Sequence, residues 1–232
     1  MNQAKSKIQA VVFDAYGTLF DVHSVVALCE ELFPGKGASL SQLWRTKQLE
    51  YSWQRSLMQR YEDFRTLTED GLSFACEALK LPITAAQTAR LMDAYLHLKP
   101  YAEVPEVLRA LKHLPLAILS NGSPAMLEPL VRNAGMQDVF AHVISVDSLR
   151  CFKPDPRVYQ LALDKFGVTK SSVAFVSSNG WDIAGCGAFG FKPIWVNRSG
   201  QPQERLGVEP MAIIASLTDL PKYVFSSSTS AI

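Results

Sequence analysis

Ile8-Gln9-Ala10-Val11-Val12-Phe13-Asp14-Ala15-Tyr16-Gly17-Thr18-Leu19 joins an apolar, β-branched run to an aspartate and a glycine-containing turn. The run is continuous rather than alternating, as in a strand covered on both faces. Similar runs recur at Leu116–Leu119, Val143–Val146, Val173–Val176 and Pro193–Val196. Helical stretches at Ala125–Ala134, Arg157–Phe166 and Asp182–Phe189 separate the later ones. This alternation predicts an α/β fold with a Rossmann-like, doubly wound parallel sheet. Ligands in such sheets bind beyond the carboxyl ends of the strands, where Asp14 stands.

Between Val22 and about Lys99 the pattern changes. Leu40–Tyr61 has neither Pro nor Gly, and Asp63–Leu79 and Ala85–Leu98 read as further helices. The expectation is an α-helical cap inserted after the first strand. The predicted division is core 1–20 and 100–225, cap 21–99, and a Ser-rich, disordered tail 226–232. Trp44, Trp53, Leu57, Tyr61 and Phe64 give the cap a broad apolar surface, best explained by packing inside the cap.

The 232 residues carry a net charge of +1 and are 48% hydrophobic. One sizeable core fits that length. Near-neutral charge leaves no electrostatic footprint for nucleic acid or an anionic membrane. No apolar run reaches the roughly 20 residues of a membrane span. Lys5 and Lys7 precede an apolar stretch, but Asp14 interrupts it and no small-residue cleavage pattern follows, so a signal peptide is not expected. Cys29, Cys76, Cys151 and Cys186 are widely spaced and form no CxxC, so free thiols in a reducing cytoplasm are expected. GxSxG, HExxH, GxxxxGK[ST] and GxGxxG motifs are missing, and His23, His97, His113 and His142 stand isolated.

Four segments fall at strand ends: Asp14–Leu19, Ser120-Asn121-Gly122, Lys153-Pro154-Asp155, and Ser177-Ser178-Asn179-Gly180-Trp181-Asp182. Together they supply a carboxylate nucleophile, hydroxyl and amide donors, a cation and a second carboxylate. That set suits covalent catalysis through an aspartyl ester. Each member has a plainer explanation. Asp14 could start a turn, Ser120 and Asn121 could cap a helix, Lys153 could be a surface lysine, and Asp182 could cap its own helix. The combination carries the inference, not any single member.

Phe13–Asp21, Leu43-Trp44-Arg45, Ile118–Gly122, Lys153–Tyr159 and Phe175–Asp182 resemble the haloacid dehalogenase superfamily, specifically its L-2-haloacid dehalogenase branch. The resemblance spans almost the whole chain. Tyr16 stands where a phosphatase of this type would carry a second acid to protonate an alkoxide, and Asp182 is the only carboxylate of its motif. A departing halide needs no proton, so both features fit carbon–halogen chemistry. Gly180 departs from the Ala common in the branch.

The resemblance implies hydrolysis of L-2-haloalkanoates to D-2-hydroxyalkanoates with inversion, through an ester on Asp14. By the same resemblance Arg45 receives the halide, helped by Asn121, and Ser120 with backbone N–H groups near Tyr16 holds the substrate carboxylate. Lys153 would bind Asp14 and favour its charged form. Thr18 would fix Asp14, and Tyr159 would support the site. Asp182, oriented by Ser177 and Asn179, would activate water. Tyr16, Leu49, Phe64 and Trp181 would form the apolar wall. No metal and no cofactor is expected, and the resemblance implies a homodimer. Two alternatives stay open: a magnesium-dependent phosphatase or phosphonate hydrolase, and a non-catalytic binding protein on the same fold.

Overall fold

Ala10–Phe13 (β1) is fully buried and lies at the centre of the sheet. It pairs in parallel with β2 (Leu116–Ser120) on one side and β4 (Val173–Ser177) on the other. The computed structural model describes residues 7–225, so the predicted tail 226–232 lies outside it. With β3 (His142–Ser145), β5 (Lys192–Val196) and β6 (Ala212–Ile214), the sheet order is β3-β2-β1-β4-β5-β6, all parallel. The three central strands carry no polar residue before their last position, and that composition buries both faces.

Five helices stand between β1 and β2, and the first four are α1 (His23–Leu32), α2 (Gly37–Leu57), α3 (Phe64–Ala78) and α4 (Ala85–Ala94). These four form the cap. The core helices are α5 (Val104–Ala110), α6 (Pro124–Asn133), α7 (Pro156–Phe166), α8 (Gly180–Phe189) and α9 (Leu220–Val224). Local chemistry sets several boundaries. Asp63 caps α3 by accepting from the N–H groups of Arg65 and Thr66, and Thr84 with Gln87 forms a capping box on α4.

Some expectations need correction. The long cap helix ends at Leu57 rather than Tyr61, because Gln59 adopts a left-handed φ of 56° and closes the turn without a glycine. The fourth cap helix stops at Ala94 rather than Leu98. Helices α1, α5 and α9 and strand β6 were not foreseen. β6 has three residues in a buried–exposed–buried pattern at the sheet edge, too short for a periodic signal. Trp44 is buried inside the cap as expected, but Phe64 packs across to Tyr16 and Phe152 of the core, and Leu57 is 85% exposed. All four cysteines are buried free thiols. Among the described residues no helix is long and apolar enough to cross a membrane.

Candidate active site

Asp14 follows the last residue of β1, and its N–H still donates to the Val176 carbonyl at 2.9 Å. The sheet therefore fixes where the carboxylate starts. The chain then turns sharply: the N–H groups of Thr18, Leu19 and Phe20 all donate to the Ala15 carbonyl, and that of Gly17 to Phe20. Gly17 has φ of +82°, which other residues adopt only with strain. The N–H groups of Ala15 and Tyr16 take part in none of these bonds.

The carboxylate is held from three sides. Lys153 Nζ donates to Oδ1 at 3.0 Å. Oδ2 accepts from Thr18 Oγ1 at 3.1 Å, Asn179 Nδ2 at 2.9 Å and, more weakly, Ser177 Oγ at 3.5 Å. Thr18 Oγ1 also accepts from the Ser178 N–H at 2.8 Å, which ties the β1 turn to the loop after β4.

Lys153 Nζ makes a second contact, to Asp182 Oδ2 at 2.8 Å. Asp182 lies in the first turn of α8 and is fully buried. Its other oxygen accepts from the Tyr159 hydroxyl at 2.8 Å. Here the structure corrects one expectation: Ser177 and Asn179 orient Asp14, whereas Lys153 and Tyr159 orient Asp182. Burial is the largest influence on the Asp182 carboxyl and pushes it up to about 6, against the opposing pull of Lys153. Lys153 is buried too. Burial alone would favour its neutral amine, but Asp14 and Asp182 outweigh that and raise its pKa.

Asp14, Lys153 and Asn179 line a small cavity of about 10 Å³. Arg45 and Leu49 of α2, with Phe64 of α3, close it from the cap side. Tyr16, Ser120, Asn121 and Trp181 complete the wall. A space of that size holds about one water, so a substrate enters only when the cap or its side chains give way. The Asn121 carbonyl oxygen accepts from the Lys153 N–H at 3.0 Å. Ser120 Oγ accepts from the Gly122 N–H at 3.1 Å. Thr18, Ser177, Tyr159 and Asp182 stand behind the cavity wall as its support. All fourteen residues singled out in the sequence are therefore brought to one place.

Arg198 was not anticipated. It donates to the carbonyls of Gly17 and Thr18, both at 3.1 Å, and to Glu103 at 2.9 Å. It thereby pins the catalytic turn to the chain returning from the cap. Its one sequence signal is position, two residues past β5 at the same sheet edge. No group of three His, Cys, Asp or Glu side chains among the described residues is placed to hold a metal ion. An ammonium, from Lys153, lies between the two carboxylates.

Residues 8–190 match the family model for haloacid dehalogenase-like hydrolases. The chain belongs to that family. It is 51% identical over 212 residues to an (S)-2-haloacid dehalogenase of Pseudomonas sp. strain YL, covering 90% of this chain and 91% of that one. It is 47% identical over 222 residues to an (S)-2-haloacid dehalogenase of Pseudomonas putida, covering 95% and 98%. Among solved structures, an L-2-haloacid dehalogenase from Xanthobacter autotrophicus with covalently bound chloropropionic acid superposes with a TM-score of 0.90 at 42% identity, over 95% of this chain and all of that one. This haloacid dehalogenase-like hydrolase thus shares its fold with that enzyme over 95% of its length.

Proposed function

We propose that the chain hydrolyses L-2-haloalkanoates to D-2-hydroxyalkanoates. The observation that carries this is Asp14: a carboxylate gripped by Lys153 and aimed into a small cavity roofed by Arg45, with Tyr16 in place of a second acid. Attack by an Asp14 oxygen on the α-carbon, opposite the halogen, forms the C–O bond as the C–halogen bond breaks. The halide leaves with the bonding pair, the configuration inverts, and an ester remains on Asp14. Arg45 and Asn121 receive the halide. Ser120 and the N–H groups of Ala15 and Tyr16 hold the substrate carboxylate, while Leu49, Phe64 and Trp181 pack on the alkyl group.

Water then attacks the ester carbon of Asp14. Asp182 takes a proton from that water, and the donors around Asp14 stabilise the charge that develops on its oxygen. Collapse expels the alkoxide of the hydroxy acid, which takes the proton held by Asp182, and the new Asp14 carboxyl group releases the water's second proton to become a carboxylate again. Close alignment and exclusion of bulk water supply the advantage.

Single turnover in ¹⁸O-labelled water with enzyme in excess tests this route. The label should enter Asp14 and leave the first-formed product unlabelled; label in that product would mean direct attack by water. The ester-hydrolysis step should rise with pH as Asp182 ionises, because it accepts a proton only when charged, and should do so below the value of about 6 that it has in the free enzyme, since the ester removes the Asp14 charge that helps to raise it. A rapid-quench profile that is flat from about pH 3 to about pH 8 would remove Asp182 from that role.

The chemistry needs no metal, since a halide leaves as a stable anion and Lys153 binds both carboxylates. Chelator should leave activity unchanged, and a strict magnesium requirement would favour a phosphatase. We further place the chain in the cytoplasm as a homodimer. Four free buried thiols are consistent with a reducing compartment. Exposed Leu57, Met58 and Phe74 on the cap offer an apolar contact surface. Light scattering reads the assembly directly.

A further inference from the structure

Arg45 does not hang freely over the cavity. Its Nη1 donates to Oε1 of Gln48, one turn further along α2. Gln48 is completely buried. Its Nε2 donates to Thr68 Oγ1 on α3 at 2.7 Å, and the Tyr95 hydroxyl lies within hydrogen-bonding reach of the same side chain.

The direction of these bonds is determined. Thr68 Oγ1 gives its single proton to the Phe64 carbonyl at 2.6 Å, so toward Gln48 it can only accept. The Gln48 nitrogen must therefore face Thr68, and its oxygen must face Arg45. A reversed amide would set donor against donor at Arg45 and acceptor against acceptor at Thr68. The helices are close enough for this because Gly71 faces α2: a Cβ there would lie 3.2 Å from the Gln48 backbone nitrogen and 3.4 Å from Trp44. Trp44 adds a bond from Nε1 to the Thr68 carbonyl at 2.6 Å.

An amide oxygen is suited to this post. It fixes a flexible guanidinium, which otherwise loses much side-chain freedom on ordering, yet leaves the positive charge unneutralised for an anion. We propose that the buried Gln48–Thr68 pair is the seat that aims Arg45 into the cavity and sets how tightly halide is held there. Gln48 is a positioning residue, acting through Arg45. The proposal rests on the reading of Arg45 as the halide receiver.

The test is product inhibition by chloride and bromide during turnover of 2-chloropropanoate, with melting temperature recorded for each variant. Gln48→Met removes the acceptor at similar volume, and Gln48→Glu keeps the shape but neutralises Arg45. Both should weaken halide inhibition at least about tenfold. Thr68→Val should weaken it by a smaller factor, and Thr68→Ser, which keeps the hydroxyl, should restore it. If the Gln48 variants do not fold, the Thr68 pair decides: equal inhibition constants for Thr68→Val and Thr68→Ser overturn the proposal. Unchanged inhibition in folded Gln48 variants also overturns it, provided Arg45→Lys weakens inhibition. If Arg45→Lys leaves inhibition unchanged as well, the assignment of Arg45 itself is what fails.

Discussion

The Lys153→Met variant should unfold about 3–5 kcal/mol more readily than the unchanged chain at about pH 8, and should release no halide. Lys153 is 1% exposed and is the cation between Asp14 and Asp182. Methionine nearly matches its length and apolar volume, so the loss isolates charge from packing. Two buried carboxylates would be left facing each other without a counter-ion. The pH dependence has a definite sign. The Asp182 carboxyl is already raised above its unfolded value, to about 6, with Lys153 opposing the rise. Without Lys153 it rises further, and the folded state then binds a proton that the unfolded state releases. Such a group destabilises increasingly as pH climbs from its unfolded value through its folded one. Urea unfolding should therefore show a large deficit at about pH 8 that shrinks toward about pH 5, where Asp182 is neutral. A deficit equal at both would point to packing rather than charge.

Asp14→Asn should lower halide release by at least about 10⁴-fold, as expected on removal of a covalent nucleophile. Its stability should change far less than that of the lysine variant, because Lys153 keeps Asp182 as partner. The substituted amide keeps an oxygen for Lys153 but brings its NH₂ toward Thr18 and Asn179, donors to Asp14 in the unchanged chain. Halide binding should survive, since Arg45 is not altered. Halide release during turnover of 2-chloropropanoate, set beside the melting temperature, separates lost chemistry from lost fold. Turnover near the parent rate would exclude the ester on Asp14.

Strands with both faces covered write themselves in continuous apolar residues, which is why β1, β2 and β4 were legible together with the loops at their ends. Asp14, Ser120, Ser177 and the α8 turn follow directly from those strands. The short edge strand β6 has no such signature. The early end of α2 was hidden because Gln59 takes a conformation usually left to glycine. Arg45 could not be told from Arg55 or Arg60 by spacing; only its match to the family singled it out, and it alone of the three lines the cavity.

The sequence by itself determined the sheet, the insertion and the residue types gathered at one edge, because burial on both faces constrains composition locally. Tertiary structure alone decided how those side chains share their bonds. Lys153 lies 139 residues from Asp14 in the chain yet binds it and Asp182 at once. Gln48 and Thr68 likewise meet only because α3 packs against α2 at Gly71, and Arg198 reaches the catalytic turn only because β5 ends beside it. Hydrogen-bond direction and charge pairing depend on distances of a few ångströms between segments far apart in the chain, and no local pattern of residues encodes them.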